Sequence, residues 1–413
     1  MNLKKLNLTQ YIFIGIILGV LGGWIFGESI LPLADPLAKL FLRLLRMAIM
    51  PLIITSIISG VLSIGAERGL GRLGTKTFLY YITSSVLAII TGQILVNIFR
   101  PGVGSNIKLN DVPEVIGAAD QSISDLLFRI IPENPFHSMA EGDVLPVIFF
   151  CIFLGFFITR LKDSRRIQIT EFFQGMFEAM MKLTLLIIWI APLGVFGINA
   201  RIVATTGFGA FKSLGFYFIV VLLGLLIHAF ISLPLLLKFV ARVNPFNHYK
   251  GMTSALLTAF STSSSMVTLP LTIKCVTSRS RVSKKIAKFM LPIGATVNMD
   301  GTALYECVAT IFIAQTYGFE LSIAQQGIVV LTALLASIGA AGIPMAGLVM
   351  MTIILRAIGL PLEGVGLILA VDRILDMFRT TTNVLSDSCG TVIVARLEGE
   401  SLEKIGEPAD EEE

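Results

Sequence analysis

The chain has 413 residues, of which 54% are hydrophobic and only 15% charged, with a formal net charge of +4 and a mean hydropathy of +0.83. That much apolar surface exceeds what a soluble domain can hide, which excludes an ordinary soluble enzyme or binding module and predicts a polytopic membrane protein. At about 20 residues per crossing the length accommodates about eight spans with their connections.

Apolar blocks at roughly 10–26, 36–65, 77–99, 144–161, 174–203 and 213–241 predict spanning helices, some long enough to tilt. The stretch from Tyr11 to Phe26 has no A-x-A site and reads as the first span rather than a cleaved leader. Residues 101–143 turn polar, with Pro101, Pro113, Pro132 and Pro135 and a short amphipathic piece from Ile123 to Ile131, and predict an external connection. Beyond residue 250 two stretches, Ser261 to Pro270 and Ser337 to Gly347, interrupt apolar sequence with small residues. Neither reads as a straight spanning helix. Basic residues cluster in the loops beside the spans, among them Arg68, Arg72 and Lys76 and the group from Arg279 to Lys288. The positive-inside rule places these loops and the N-terminus in the cytoplasm, and clusters this short, each beside an apolar span, argue against nucleic acid as a partner. Cys151, Cys275, Cys307 and Cys389 form no CxxC pair, and His137, His228 and His248 lie far apart, so the thiols read as core residues and a zinc site is not expected. The acidic end, Asp410 to Glu413, reads as a solvated tail.

The last apolar stretch carries Asp372, Asp376, Arg379, Thr380, Asn383 and Asp387. On an unbroken helix, at about 100° per residue, these positions share one arc of about 100°. Ionisable groups inside a span mark a substrate or ion pathway, and Asp376 and Arg379 suit each other or a zwitterion. An internal salt bridge from Arg379 to Asp372 or Asp376 is the structural alternative. Each small-residue tip is followed by a span with a polar kernel, Asn298-Met299-Asp300-Gly301-Thr302 after the first and Arg379 to Asn383 after the second. Broken backbone at membrane depth is tolerated where it lines a cavity, and paired interruptions in two halves point to a transporter site, although small residues also serve close helix packing.

The segments TSSSMVTLP, GATVNMDGTALYE, SIGAAGIPMAG and VDRILDMFRTTTNVLSD resemble the glutamate transporter family, the sodium-coupled dicarboxylate and amino-acid symporters. The likeness runs over essentially the whole chain. It implies an all-α polytopic membrane protein of eight transmembrane helices plus two re-entrant helical hairpins, built from inverted repeats and assembled as a homotrimer. Residues 1–69 and 101–206 would form scaffold helices, residues 70–100 and 207–398 a mobile transport domain working as an elevator, and 399–413 a cytoplasmic tail.

For an acidic amino acid the resemblance implies Arg379 at the side-chain carboxylate with Thr302 assisting, Asp376 and Thr380 at the amino group, and Asn383 with Ser263, Ser264 and Ser265 at the α-carboxylate. A planar guanidinium fork suits that carboxylate on physical grounds. Met299 and the second tip, with Ala340, Gly342, Ile343 and Gly347, complete the substrate site and its gate. Three sodium sites are implied: Asp387 with backbone at Gly294, Asn298 and Asn383; Asp300 and Asn298 with Tyr81, Ser84 and Ser85; and backbone at Thr296, Ser337, Ile338 and Ala340. Hard cations take such oxygens. Glu306 matches the position that animal members use to carry a proton.

The sequence departs from the family at two places. It has Ser263 where archaeal members carry an arginine and Met377 where animal members carry one, with Arg373 one turn away as a substitute charge. No Asn-x-Ser/Thr sequon lies in a predicted external loop, which favours a prokaryotic plasma membrane. Among rivals, a membrane aspartyl protease using Asp300 and Asp372 leaves Arg379 unexplained, and a dedicated channel needs no chelating site. A neutral amino-acid exchanger should lack Arg379, and a C4-dicarboxylate carrier should lack Asp376.

Overall fold

The computed structural model describes residues 8–65, 71–104, 131–141, 144–206, 209–339 and 346–402. The amphipathic piece expected at Ile123–Ile131 falls almost wholly outside these residues, as do Ala340, Gly342 and Ile343 of the second tip. Every regular element among the described residues is helical. Hydrocarbon offers the backbone no partner, so a spanning segment must satisfy its own N–H and C=O groups.

The predicted apolar blocks fold as α1 (Leu8–Phe26), α2 (Leu31–Gly65), α3 (Gly71–Phe99), α5 (Val144–Thr159), α6 (Asp163–Thr206) and α7 (Gly209–Ile227), with the short α4 (Pro135–Glu141) before α5. Asn134 caps α4, its Oδ1 accepting from Phe136 N at 3.0 Å. α7 continues to Ala241 through two π-helical turns, His228–Ser232 and Leu237–Ala241, either side of one α turn. α6 is longer than its apolar block and bends by 49° between Thr184 and Trp189. Pro192 lies four residues beyond the last residue of that break and cannot donate to the carbonyl of Ile188, which accounts for the kink.

α1 lies on α6 through glycines at four-residue spacing. A Cβ at Gly15, Gly19 or Gly23 would stand 2.4, 2.5 or 2.4 Å from the carbonyl oxygens of Pro192, Phe196 and Ala200. The matching step along both helices means that they run parallel in backbone contact, as small residues allow in lipid. Gly19→Val should therefore cost at least about 1–3 kcal/mol through overpacking. Thermal unfolding in detergent checks this against Gly175→Ala, where no atom lies within 4 Å of the added Cβ.

The remaining helices are α8 (Pro245–Thr262), α9 (Ser265–Ser278), α10 (Lys284–Val297), α11 (Asp300–Thr316), α12 (Ile323–Gly339), α13 (Ala346–Ala357) and α14 (Gly364–Leu397). α8 and α9 meet at a two-residue turn in which Ser263 is left-handed (φ 51°) and Ser264 is extended, accepting from Val267 N to cap α9. The first polar kernel is a helix break: Asn298 and Met299 leave helical geometry between α10 and α11. The second kernel sits inside the continuous α14, as an unbroken helix requires.

Three helical runs, Gln10–Phe41, Arg72–Phe99 and Ser213–Ala241, are long and apolar enough to cross a membrane among the described residues, and the bent α6 makes a fourth. The expected eight spans are not recovered by length and hydropathy alone: α14 carries the polar row, and the apolar helices Met50–Leu62, Pro146–Thr159 and Ile323–Ser337 are shorter than a span. α11 is buried along its whole length except at Gln315 and runs through the middle of the protein. Around it lie one large apolar core and a second one formed by the first turns of α3, the end of α7, α8 to α10 and the end of α14.

Candidate functional site

α14 presents Asp372, Asp376, Arg379, Thr380, Asn383 and Asp387 to the interior, all of them buried, so the predicted shared face exists. Two contacts set its distance from α11. A Cβ on Gly301 would meet Arg379 O at 2.6 Å, and Asn383 Oδ1 accepts from Gly301 N at 2.8 Å while its Nδ2 donates to Thr302 Oγ1 at 3.1 Å.

At one end of the row Arg379 is fully buried, with Nη2 donating to Asp376 Oδ1 at 2.8 Å and lying 3.1 Å from Asp372 Oδ1. Its guanidinium lies over the Tyr305 ring, 3.8 Å from the centroid, a cation–π contact that strengthens away from water. Both structural salt bridges weighed from sequence are thus present. They do not satisfy the arginine, because Nε and Nη1 have no hydrogen-bond partner among the described residues. A Cβ on Gly347 would stand 2.8 Å from Nη1 and 3.2 Å from Thr302 Cγ2, so α13 closes on the guanidinium with backbone only. Buried donors without acceptors are costly, and a ligand carboxylate meets that need. Arg373 reaches Asp376 Oδ2 at 3.5 Å, so the local charges are two acids and two arginines. Glu306, one turn beyond Thr302, has no hydrogen-bond partner on either oxygen among the described residues.

At the helix break four donors converge on Asp300. Ser85 Oγ and Ser84 Oγ reach Oδ1 at 2.6 and 3.3 Å. Ser386 Oγ and His228 Nε2 reach Oδ2 at 2.6 and 3.1 Å. Ser84 also donates to Asn298 Oδ1 at 3.2 Å. Hydroxyls rotate, so Ser84 and Ser85 can turn lone pairs towards a cation that shares Asp300 with them. His228 and Ser386 were not singled out from the sequence. Ser386 stands one residue before Asp387, and His228 was a lone polar residue in an apolar run; the signal for it was that every ionisable group inside a span needs a partner.

Asn298 joins this group to the next, its Nδ2 donating to Asp387 Oδ1 at 2.9 Å and to Ser386 Oγ at 3.1 Å. Gly294 must be glycine here, since a Cβ would stand 2.5 Å from Asp387 Oδ1 and 2.9 Å from Tyr81 Oη. Tyr81 donates to Met290 O at 2.8 Å, and its hydroxyl borders Gly294 together with the Asp387 carboxylate. Ser263, Ser264, Ser265 and Met299 are buried, and Phe260 beside the serine tip packs edge-on against Phe378 of α14 at 5.1 Å. Thr296 and Ser337 turn their hydroxyls to the carbonyls of Ile293 and Leu334 within their own helices, leaving their backbone for the role expected of them. Ile338 stands in the last turn of α12.

The family model described as the sodium:dicarboxylate symporter family matches residues 8–397. Excitatory amino acid transporter 3 of Mus musculus is 38% identical over 460 aligned residues, covering 97% of this chain and 86% of that protein. The human protein of the same name is 38% identical over 89% of this chain and 80% of its own length. The proton/sodium-glutamate symport protein of Bacillus caldotenax is 35% identical over 98% of this chain and 97% of its own length. These relatives are transporters rather than enzymes, and the apolar helices fit a membrane protein: the chain is a multi-pass membrane protein of the sodium:dicarboxylate symporter family.

Proposed function

We propose that this protein is a sodium-coupled secondary active symporter that imports the acidic amino acids L-aspartate and L-glutamate across a prokaryotic plasma membrane. The observation that carries the reading is Arg379: a fully buried arginine with two acidic partners and, among the described residues, still two unsatisfied donor atoms, approached by the backbone at Gly347. A ligand side-chain carboxylate binds there beside Thr302, Asp376 and Thr380 hold the ammonium, and Asn383 with the tip Ser263 to Ser265 takes the α-carboxylate. Met299 lies beside them, and the roles expected of Ala340, Gly342 and Ile343 fall outside the described residues.

Sodium travels with the substrate. The Arg379 end is balanced before a ligand arrives, and an acidic amino acid adds one net negative charge. Asp300 of α11 and Asp387 of α14 are buried near one another, joined through Asn298 and Ser386, without an arginine or lysine partner among the described residues. Cations bound by Asp300 with Ser84, Ser85 and Asn298, and by Asp387 with backbone at Gly294, offset the repulsion. Binding of substrate and sodium is then reciprocal by linkage.

In this reading α1, α2, α5 and α6 are the scaffold of a homotrimer, and α3 with α7 to α14 is the moving transport domain. The direct backbone contact of α1 with α6 and the enclosure of the polar row by α3 and α8 to α14 support that division. Hairpin α12–α13 serves as the gate.

Glu306 carries a proton during transport. Its carboxyl is buried without a hydrogen-bond partner among the described residues, an environment that an ionised carboxylate tolerates poorly. Uptake of labelled aspartate into proteoliposomes under separate sodium, proton and potassium gradients tests the whole reading. Glu306→Gln is expected to keep sodium-driven uptake and to lose the response to a pH gradient. If wild-type uptake ignores that gradient, or if the variant responds as the wild type does, Glu306 moves no proton.

A further inference from the structure

Between Glu178 and Asp300 the sequence contains no aspartate or glutamate, while residues 238 to 288 contain nine lysines and arginines. The fold gathers that charge at one end. α7 stops at the left-handed Arg242, and α8 starts three residues later at Pro245. His248 Nδ1 lies 2.8 Å from Ser280 Oγ, and a Cβ on Gly251 would stand 2.9 Å from Arg279 Cβ. The start of α8 and the turn between α9 and α10 therefore form one face, with Lys238, Arg242 and Lys250 on one segment and Arg279, Lys284 and Lys285 on the other.

The acids that the chain does bring to this end are already engaged. Glu398 pairs with Arg72 at 2.9 Å and Lys76 at 2.7 Å, and the Arg72 guanidinium, then the Lys76 ammonium, hold its carboxyl below the usual carboxylate range. Glu400 Oε2 accepts from Ser283 N at 3.0 Å. Among the described residues Lys238, Arg242 and Lys250 make no ion pair, and all three are exposed.

Large apolar side chains stand among these cations. Phe239 is 70% exposed and Phe246 73% exposed. The Lys238 ammonium lies 6.0 Å from the Phe239 ring centroid. The exposed apolar stripe of α7, with Phe230, Ile231 and Leu235, runs directly into Phe239. A soluble anion explains the charge but not the phenylalanines. A lipid leaflet explains both, because acyl chains take the aromatic rings and α7 while phosphates take the ammonium and guanidinium groups.

We propose that this rim, centred on Lys238, Phe239, Arg242, Phe246 and Lys250, is a docking surface for anionic phospholipid headgroups. None of these five residues belongs to the substrate or sodium sites. The partner is the lipid of the surrounding leaflet, and the rival occupant is the acidic tail beyond Leu402, which contains Asp410 to Glu413.

The full chain in nanodiscs, probed by electron paramagnetic resonance with spin-labelled phosphatidylglycerol against spin-labelled phosphatidylcholine, tests the proposal. Wild type is expected to immobilise phosphatidylglycerol preferentially, and inorganic phosphate should not compete. Lys238→Gln, Arg242→Gln and Lys250→Gln combined should reduce that preference at least about fivefold. Phe239→Ser with Phe246→Ser should reduce retention of both lipids, and an unchanged unfolding temperature shows that each variant is folded. Equal retention of the two lipids by wild type overturns the proposal, as does full preference in the triple variant. Competition by inorganic phosphate identifies a soluble-anion site instead. A preference seen only after deletion of residues 403–413 identifies the tail as the occupant, and either result also overturns the proposal.

Discussion

Replacing Arg379 by Cys or Thr is expected to abolish aspartate transport while leaving a folded protein that binds a neutral amino acid such as serine or alanine. The side-chain carboxylate of the ligand loses its charged fork, and the ammonium and α-carboxylate contacts of the backbone half remain. Removing one member of a buried, hydrogen-bonded charge pair costs about 2–5 kcal/mol, roughly a 30-fold to several thousand-fold loss of affinity. Asp372 and Asp376 would also lose the cation they share. Part of the effect can therefore be structural, and the gain of neutral substrate separates the two causes, since a misfolded site gains nothing. Isothermal titration of the purified variant with aspartate and with serine makes the measurement. Near-normal aspartate affinity would remove Arg379 from its assigned place.

Asp300→Asn is expected to raise the sodium concentration needed for half-maximal aspartate binding by at least about tenfold, with a smaller loss of binding at saturating sodium. Asn keeps one carbonyl oxygen for Ser85 but removes the formal charge that a hard cation needs. At an effective dielectric of about 20, a unit charge at about 2.4 Å contributes on the order of 7 kcal/mol before the ion's desolvation is subtracted, so even a small net remainder gives a tenfold change. Asp387→Asn should act in the same direction through the second group, where Asn298 donates to the carboxylate at 2.9 Å. A sodium dependence unchanged in both variants would show that neither carboxylate binds the coupling ion.

The apolar spans were legible because hydrocarbon imposes one requirement along a whole segment, and a run such as Ser213–Ala241 satisfies it on average despite His228 and Lys238. The polar face of α14 was legible for a related reason: helical periodicity fixes which residues share a side whatever packs against them. The break at Asn298 and Met299 was harder to read. Its polar residues marked the place, but whether the helix unwinds there depends on partners that arrive from other elements, here Ser84 of α3 and Ser386 and Asp387 of α14. His228 shows the limit most clearly. Its partner is Asp300, 72 positions away, and nothing local to α7 marks it. The glycines Gly15, Gly19 and Gly23 carry a visible four-residue spacing, but the carbonyls of α6 that they accommodate are set by the tertiary fold alone.

The most direct test of sodium-coupled recognition is equilibrium binding of aspartate to the purified wild-type protein across a sodium titration, with choline replacing sodium at constant ionic strength. Arg379 faces a ligand with two carboxylates beside the buried acids Asp372, Asp376 and Asp387 of α14 and Asp300 of α11. Binding should therefore be lost in choline and rise with sodium more steeply than a single-ion dependence. Aspartate affinity that is undiminished in sodium-free choline buffer would contradict the account.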